Sequence, residues 1–130
     1  MPDRRVLILE DDQDLSKSYE EMITLLTSYK VIIANSLRDM QNSREDVLVC
    51  DVALLDIDLG KDEPSGIDAY KWLNDQGFRN KVYFLTGHAR NHPLVAQAVL
   101  IGAATVLTKP VDIDCLLNVI SGEGHSNVPC

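Results

Sequence analysis

The residues best suited to chemistry in this 130-residue chain fall just after short apolar runs. Glu10-Asp11-Asp12 follows the run 6–9, Asp56 follows 52–55, Thr86-Gly87 follows 82–85, and Thr108-Lys109-Pro110 follows 105–107. Any one of these alone would mean little, because loops are polar. Together they supply a group of carboxylates, a hydroxyl and an ammonium. Carboxylates held within about 4 to 6 Å raise one another's pKa and destabilise a fold unless a cation neutralises them. The donor set therefore calls for a hard divalent ion. Mg²⁺ suits it, since Mg²⁺ takes one or two carboxylates, keeps several waters and completes its shell with phosphate oxygens. Beside such an ion a carboxylate can act as nucleophile toward phosphorus, while metal and lysine balance the charge on the equatorial oxygens.

Such groups meet only if the elements bearing them end on one rim. Apolar, largely β-branched or aliphatic runs at 6–9, 31–34, 52–55, 82–85 and 105–107 are of strand length and read as buried on both faces. Between them, apolar residues recur at three- and four-residue spacing: Leu15, Tyr19, Met22 and Leu26; Leu37, Met40 and Val47; Ile67, Tyr70 and Leu73; Val95, Ala98 and Val99; and Ile113, Leu116, Leu117 and Ile120. These are amphipathic helices, with Ser36 and Asp112 as N-caps and Gly77 and Gly102 as C-terminal stops. Val47-Leu48-Val49 fits either the second helix or the start of the third strand. A strict β-α-β-α order with near-continuous apolar strands predicts an α/β fold, a doubly wound parallel sheet with helices on both faces. Ligands of such sheets collect outside the carboxyl ends of the strands, where the polar residues lie.

The length and 45% hydrophobic content fit one domain. Residues 4–121 form its body and 122–130 read as a loose C-terminal tail. No apolar run approaches membrane-spanning length and the start does not resemble a secretory leader, so no membrane insertion and a cytoplasmic location are expected. Net charge is −8 with twelve scattered Lys and Arg, so no direct nucleic-acid binding is expected. Cys50, Cys115 and Cys130 lack metal or redox spacing and read as buried or free thiols. His88 and His92 read as exposed loop histidines, Tyr70 and Trp72 as helix surface or core edge, and Lys61-Asp62-Glu63 as a solvated loop tip.

The pieces Val6-Leu7-Ile8-Leu9-Glu10-Asp11-Asp12, Asp51-Val52-Ala53-Leu54-Leu55-Asp56, Phe84-Leu85-Thr86-Gly87 and Gly102-Ala103-Ala104-Thr105-Val106-Leu107-Thr108-Lys109-Pro110 stand in an order and spacing that resembles the response-regulator receiver domains of two-component and phosphorelay systems. The resemblance covers roughly residues 4–121. It implies a flavodoxin-like five-stranded sheet of order 2-1-3-4-5. It makes Asp56 the phosphoryl acceptor, Asp11 a direct Mg²⁺ ligand, Glu10 its partner through water and the Asp58 main-chain carbonyl a further ligand. Thr86 would hydrogen-bond the phosphoryl group, Lys109 would pair with it, and the Lys109–Pro110 peptide would be cis. The implied partners are a sensor histidine kinase or histidine phosphotransfer protein upstream and an output domain or partner protein downstream. The module would be no enzyme beyond its own phosphorylation and dephosphorylation.

Three positions depart from the family pattern. Gly60 stands where proline is usual, and two residues more than usual separate Asp56 from Gly66, so the loop 57–65 should be long and mobile. Asp58 is acidic where many relatives are apolar. Val106 occupies the position of an aromatic switch residue, and valine cannot repeat a ring rotation. Two rival readings rank below the receiver. A haloacid-dehalogenase-type phosphohydrolase would use Asp56-Ile57-Asp58, Thr86 and Lys109, but its acidic pair would have to follow the lysine, and here Glu10-Asp11 comes first. An unphosphorylated docking module would have no need of mutually repelling carboxylates.

Overall fold

A computed structural model describes residues 4–60, 62–87, 92–101, 105–109 and 111–121. Five strands, β1 (Arg5–Leu9), β2 (Lys30–Ala34), β3 (Val52–Asp56), β4 (Lys81–Thr86) and β5 (Thr105–Thr108), alternate with α1 (Gln13–Leu26), α2 (Leu37–Asn42), α3 (Arg44–Leu48), α4 (Gly66–Asp75), α5 (Pro93–Ile101) and α6 (Ile113–Ser121). All strand pairs are parallel and the order is β2-β1-β3-β4-β5, the expected doubly wound arrangement.

The alternation of strand side chains divides the interior in two. Leu7, Leu9, Ala53, Leu55 and Phe84 face one layer, where Met40, Val47, Ile67, Leu73 and Ala98 of α2 to α5 cover them. Val6, Ile8, Val52, Leu54 and Leu85 face the other, covered by Tyr19 and Ile23 of α1 and Leu116 and Ile120 of α6. Burial on both faces holds for the core of the central strands. The edge strands β2 and β5 are largely half-exposed or exposed, because each has a neighbour on one side only.

Local signals end the helices where the sequence places them. Asp12 Oδ1 accepts from Leu15 N at 3.0 Å and Ser36 Oγ from Asp39 N at 3.1 Å, each satisfying a first-turn donor. Ser65 and Asp68 form a reciprocal capping box at the start of α4. Asp112 directly precedes α6, and Gly77 ends α4 with φ of 88°. Gly102 and the tail 122–130 lie outside the described residues. The second helical segment is two helices joined at Ser43, and Val47-Leu48 is helical while Val49 follows as an exposed cap residue. Cys50 is a free buried thiol whose pKa burial pushes up to about 12, whereas Cys115 is disulfide-bonded, so the expectation of unpaired thiols fails at Cys115.

Candidate functional site

Parallel register assembles the rim. Leu9 pairs with Leu55 across β1 and β3, so the next residue of each strand, Glu10 and Asp56, emerge side by side. Thr86 pairs with Thr108 across β4 and β5, which brings Lys109 to the same edge. Three further backbone bonds extend the ladder past the strand ends: Glu10 N to Ala34 O at 3.0 Å, Ile57 N to Leu85 O at 2.9 Å and Lys109 N to Thr86 O at 2.7 Å. These bonds tie the backbone of Glu10, Ile57 and Lys109 into the sheet ladder. Order reverses at β1, flanked by β2 and β3, and the carboxylates stand at that switch point.

The three acids after β1 divide their work. Glu10 is buried at 1% exposure, Asp11 is exposed, and Asp12 is taken up in capping α1. Glu10 Oε2 also accepts from Asp12 N at 3.2 Å, which orients its carboxyl. One carboxylate oxygen from each of Glu10, Asp11 and Asp56 lies within 4.8 Å of the others, the sole such group of possible metal ligands among the described residues. Lys109 Nζ stands against this group, 2.6 Å from Glu10 Oε1 and 3.2 Å from Asp56 Oδ2.

Burial and crowding shift these groups in opposite directions. Burial, then the neighbouring Glu10, pushes the Asp56 carboxyl up to about 7, with Lys109 only partly offsetting. Asp11 is raised by the same two causes. Burial also acts upward on Glu10, but its contacts with Lys109, Asp56 and Asp11 outweigh it and hold the carboxyl below its usual range. Lys109 is pushed down by burial yet ends above its usual range through Glu10 and Asp56, so it stays cationic. Without a metal, one lysine faces three carboxylates, and burial with Glu10 alongside makes Asp56 hold a proton more tightly than a free aspartate does. An oxygen-only donor set whose members raise one another's pKa suits a hard divalent cation.

The remaining residues fall around this centre. Thr86 is 1% exposed at the end of β4. Asp58 is exposed, and its Oδ1 accepts from Gly60 N at 3.0 Å, so the side chain is spent in a turn of its own loop. The loop expected to be mobile is anchored by Ile57 and Leu59, both buried in the core, and by Gly66 N donating to Ile57 O at 2.8 Å. Gly60 carries φ of 112°, and a Cβ there would stand 3.8 Å from Asp11 Oδ2, so the loop backbone passes directly beside the acidic group. Val106 is half-buried against the core, paired with Phe84, which Tyr70 meets edge-on with ring centroids 5.7 Å apart. Tyr70 and Trp72 pack at the core edge. His92 Nδ1 accepts from Leu94 N at 3.2 Å and so caps α5, while His88, the loop 88–91 and Pro110 with its peptide isomer lie outside the described residues.

Two contributors were given no role at the site from the sequence. Asn35, next after β2, donates from Nδ2 to Glu10 O at 2.7 Å and completes the row of polar residues after the strands. Its position directly after an apolar run was the available signal. Gly66 is the second: a Cβ there would lie 2.2 Å from Asp56 O and 2.9 Å from Asp56 C. No pattern in the sequence distinguishes that approach from an ordinary helix start.

A doubly wound parallel sheet with an acidic group and a lysine at its switch point defines a class of regulatory α/β modules. The chain matches the response regulator receiver domain over residues 6–121, and it belongs to that family. Among solved structures it is similar to a CheY-like receiver domain protein from Methanospirillum hungatei JF-1, at 24% identity, TM-score 0.79 and 94% coverage of each chain. It also resembles the receiver domain of a putative LuxO repressor protein from Vibrio parahaemolyticus, at 24% identity and TM-score 0.73 over 95% of this chain and 100% of that one. The chemotaxis protein CheY4 of Vibrio cholerae aligns at 19% identity and TM-score 0.77, covering 93% and 98% of the two chains. These likenesses show the fold. No curated protein matches the sequence. The family is a regulatory one of two-component signalling, so the phosphohydrolase reading falls away. Among the described residues no helix is long and apolar enough to cross a membrane.

Proposed function

We propose that residues 4–121 form a phosphorylatable receiver in which Asp56 accepts a phosphoryl group from a histidine kinase or histidine phosphotransfer protein. The observation that carries this reading is the placement of Asp56, 4% exposed at the end of the central strand β3, with Glu10 and Asp11 on one side and Lys109 Nζ at 3.2 Å. An Asp56 oxygen attacks phosphorus, the P–N bond of the donor phosphohistidine breaks, and the imidazole leaves with its electron pair. The product is an acyl phosphate on Asp56. Lys109 moves its ammonium from the carboxylates to the new phosphoryl oxygens, and the Thr86 hydroxyl supplies a hydrogen bond to them. The carboxylates of Glu10, Asp11 and Asp56 and the main-chain carbonyl of Asp58 would hold Mg²⁺, which neutralises charge on the transferring group and favours ionised Asp56. The module acts on nothing but its own phosphorylation state and reports it, from the cytoplasm, to an output domain or partner protein.

Intact mass after incubation with Mg²⁺ and acetyl phosphate tests the assignment. The wild-type chain should gain one phosphoryl group and Asp56→Asn none. Modification persisting unchanged in the variant would remove Asp56 from this role, and a chain that is never modified by small donors or kinases would be a docking module only.

A further inference from the structure

The amino edge of the sheet, opposite the acidic rim, holds a cavity of about 380 Å³. It forms where the chain enters four strands: Arg4 before β1, Tyr29 before β2, Asp51 before β3, and Arg79, Asn80 and Lys81 leading into β4. Val52 and Ile120, both buried, lie beneath these polar groups. Three cations and one carboxylate line this cavity, in a chain whose net charge is −8. Local positive charge so much against the overall balance makes an anion the complementary ligand.

The lining is built rather than loose. Arg79 Nη1 donates to Asn74 O at 3.1 Å, Asn74 Oδ1 at 3.0 Å and Phe78 O at 3.1 Å, which ties down one corner of the guanidinium. Its Nε and Nη2 hydrogens have no partner among the described residues. Arg4 Nη1 donates to Tyr29 OH at 3.1 Å, and Asn80 Nδ2 to Cys50 O at 2.8 Å. Asp51, the one acid, accepts from Arg5 N at 2.8 Å through Oδ2, and its single negative charge leaves the three cations in excess. An arginine already oriented loses less rotamer freedom when a ligand arrives, so more of the interaction appears as affinity.

We propose that this groove is a second, distinct ligand site that binds a small phosphate-bearing anion at the end of the sheet away from Asp56. Arg4 lines the groove from ahead of β1 and Arg79 with Lys81 from ahead of β4, two strands that β3 separates, so the cations are spread across the groove rather than gathered at one point. A tetrahedral phosphate offers acceptor oxygens in several directions, whereas a planar carboxylate offers two in one plane. Strand β3 separates the groove from the rim by its own length, Val52 at one end and Asp56 at the other, or roughly 13 Å at the usual rise per residue. Occupancy of one end therefore does not sterically exclude occupancy of the other.

The test uses the full chain, free of Mg²⁺ so that the acidic rim repels anions, titrated with pyrophosphate at constant ionic strength and followed by backbone amide chemical shifts. Saturable shifts should centre on Tyr29, Asp51 and residues 79–81. Arg79→Gln and Lys81→Gln, both at exposed positions, should each weaken binding about tenfold, consistent with loss of one charged hydrogen-bonding partner. Malonate should bind more weakly than pyrophosphate. The proposal is overturned by shifts that never saturate, by shifts centred on Thr86 and Lys109, or by variants that bind like wild type. Malonate binding as tightly as pyrophosphate would overturn the ligand class.

Discussion

Replacing Gly66 with alanine should damage both the stability of the domain and the chemistry of Asp56. The added Cβ would meet Asp56 O at 2.2 Å, Asp56 C at 2.9 Å and Ile57 Cα at 3.0 Å, all backbone atoms of the segment that carries the proposed acceptor. Relief to an ordinary contact of roughly 3.4 Å requires the first turn of α4 and the end of β3 to part by about 1.2 Å. That separation also stretches the 2.8 Å bond from Gly66 N to Ile57 O. Overpacking of this kind costs about 1–3 kcal/mol and a weakened backbone bond about 1 kcal/mol, against a gain of about 0.5–1 kcal/mol from the better helix former. The net loss is about 1–3.5 kcal/mol, which lowers Tm by roughly 3–17 °C in a domain of this size. Because Asp56 moves with its backbone, phosphoryl uptake from acetyl phosphate should slow by about 10- to 100-fold. Thermal denaturation and single-turnover mass spectrometry read the two effects. Gly77→Ala supplies the control: its φ of 88° makes a side chain strained, yet nothing lies within 4 Å, so it should lose about 1–2 kcal/mol with an unchanged rate. A Gly66→Ala chain that melts and reacts like wild type, or a Gly77→Ala chain equally impaired in rate, would refute the steric argument.

Mg²⁺-free protein should lose stability relative to Asp56→Asn as pH rises from about 4 toward 7: the folded chain holds the Asp56 proton up to about 7, the unfolded chain releases it near 3.8, and the contribution present below 3.8 is gone above 7. Chemical denaturation across that range measures the gap, and parallel curves for the two chains would show that Asp56 is not perturbed. Millimolar Mg²⁺ should raise the Tm of wild type, with about 1.4 kcal/mol at ten times Kd, while Asp11→Ala should abolish the response and be more stable than wild type without metal, because Asp11 is itself raised by its neighbours. Equal Mg²⁺ stabilisation of both chains would displace the site. Hydrogen exchange with and without a stable phosphoryl mimic should change in the loops 57–65 and 87–91 and little around Val106, whose small half-buried side chain has no ring to rotate. Changes centred on Val106 and α6 with both loops silent would contradict this.

The sequence by itself determined the layered fold and the membership of the rim. Strand length, two-sided apolar character and the alternation with helical spacing depend on neighbours in the chain, and so do the caps at Ser36 and Ser65. Polar residues directly after apolar runs must gather at the carboxyl edge once the strands are parallel, which is why Glu10, Asp11, Asp56, Thr86 and Lys109 could be named in advance. What those residues do to one another was decided by tertiary structure alone. Lys109 meets Glu10 across 99 positions of sequence, at a distance set by the register of β1, β3, β4 and β5 rather than by either residue's surroundings in the chain. The same register shares out protons unequally between two carboxylates of similar intrinsic acidity, lowering Glu10 and raising Asp56. The contact of Gly66 with the Asp56 backbone and the basic groove at the amino edge likewise exist only once separate elements pack together. Local pattern selects which groups reach the edge, whereas Coulomb energy, desolvation and steric overlap depend on separations of a few ångströms that exist only after the sheet has formed.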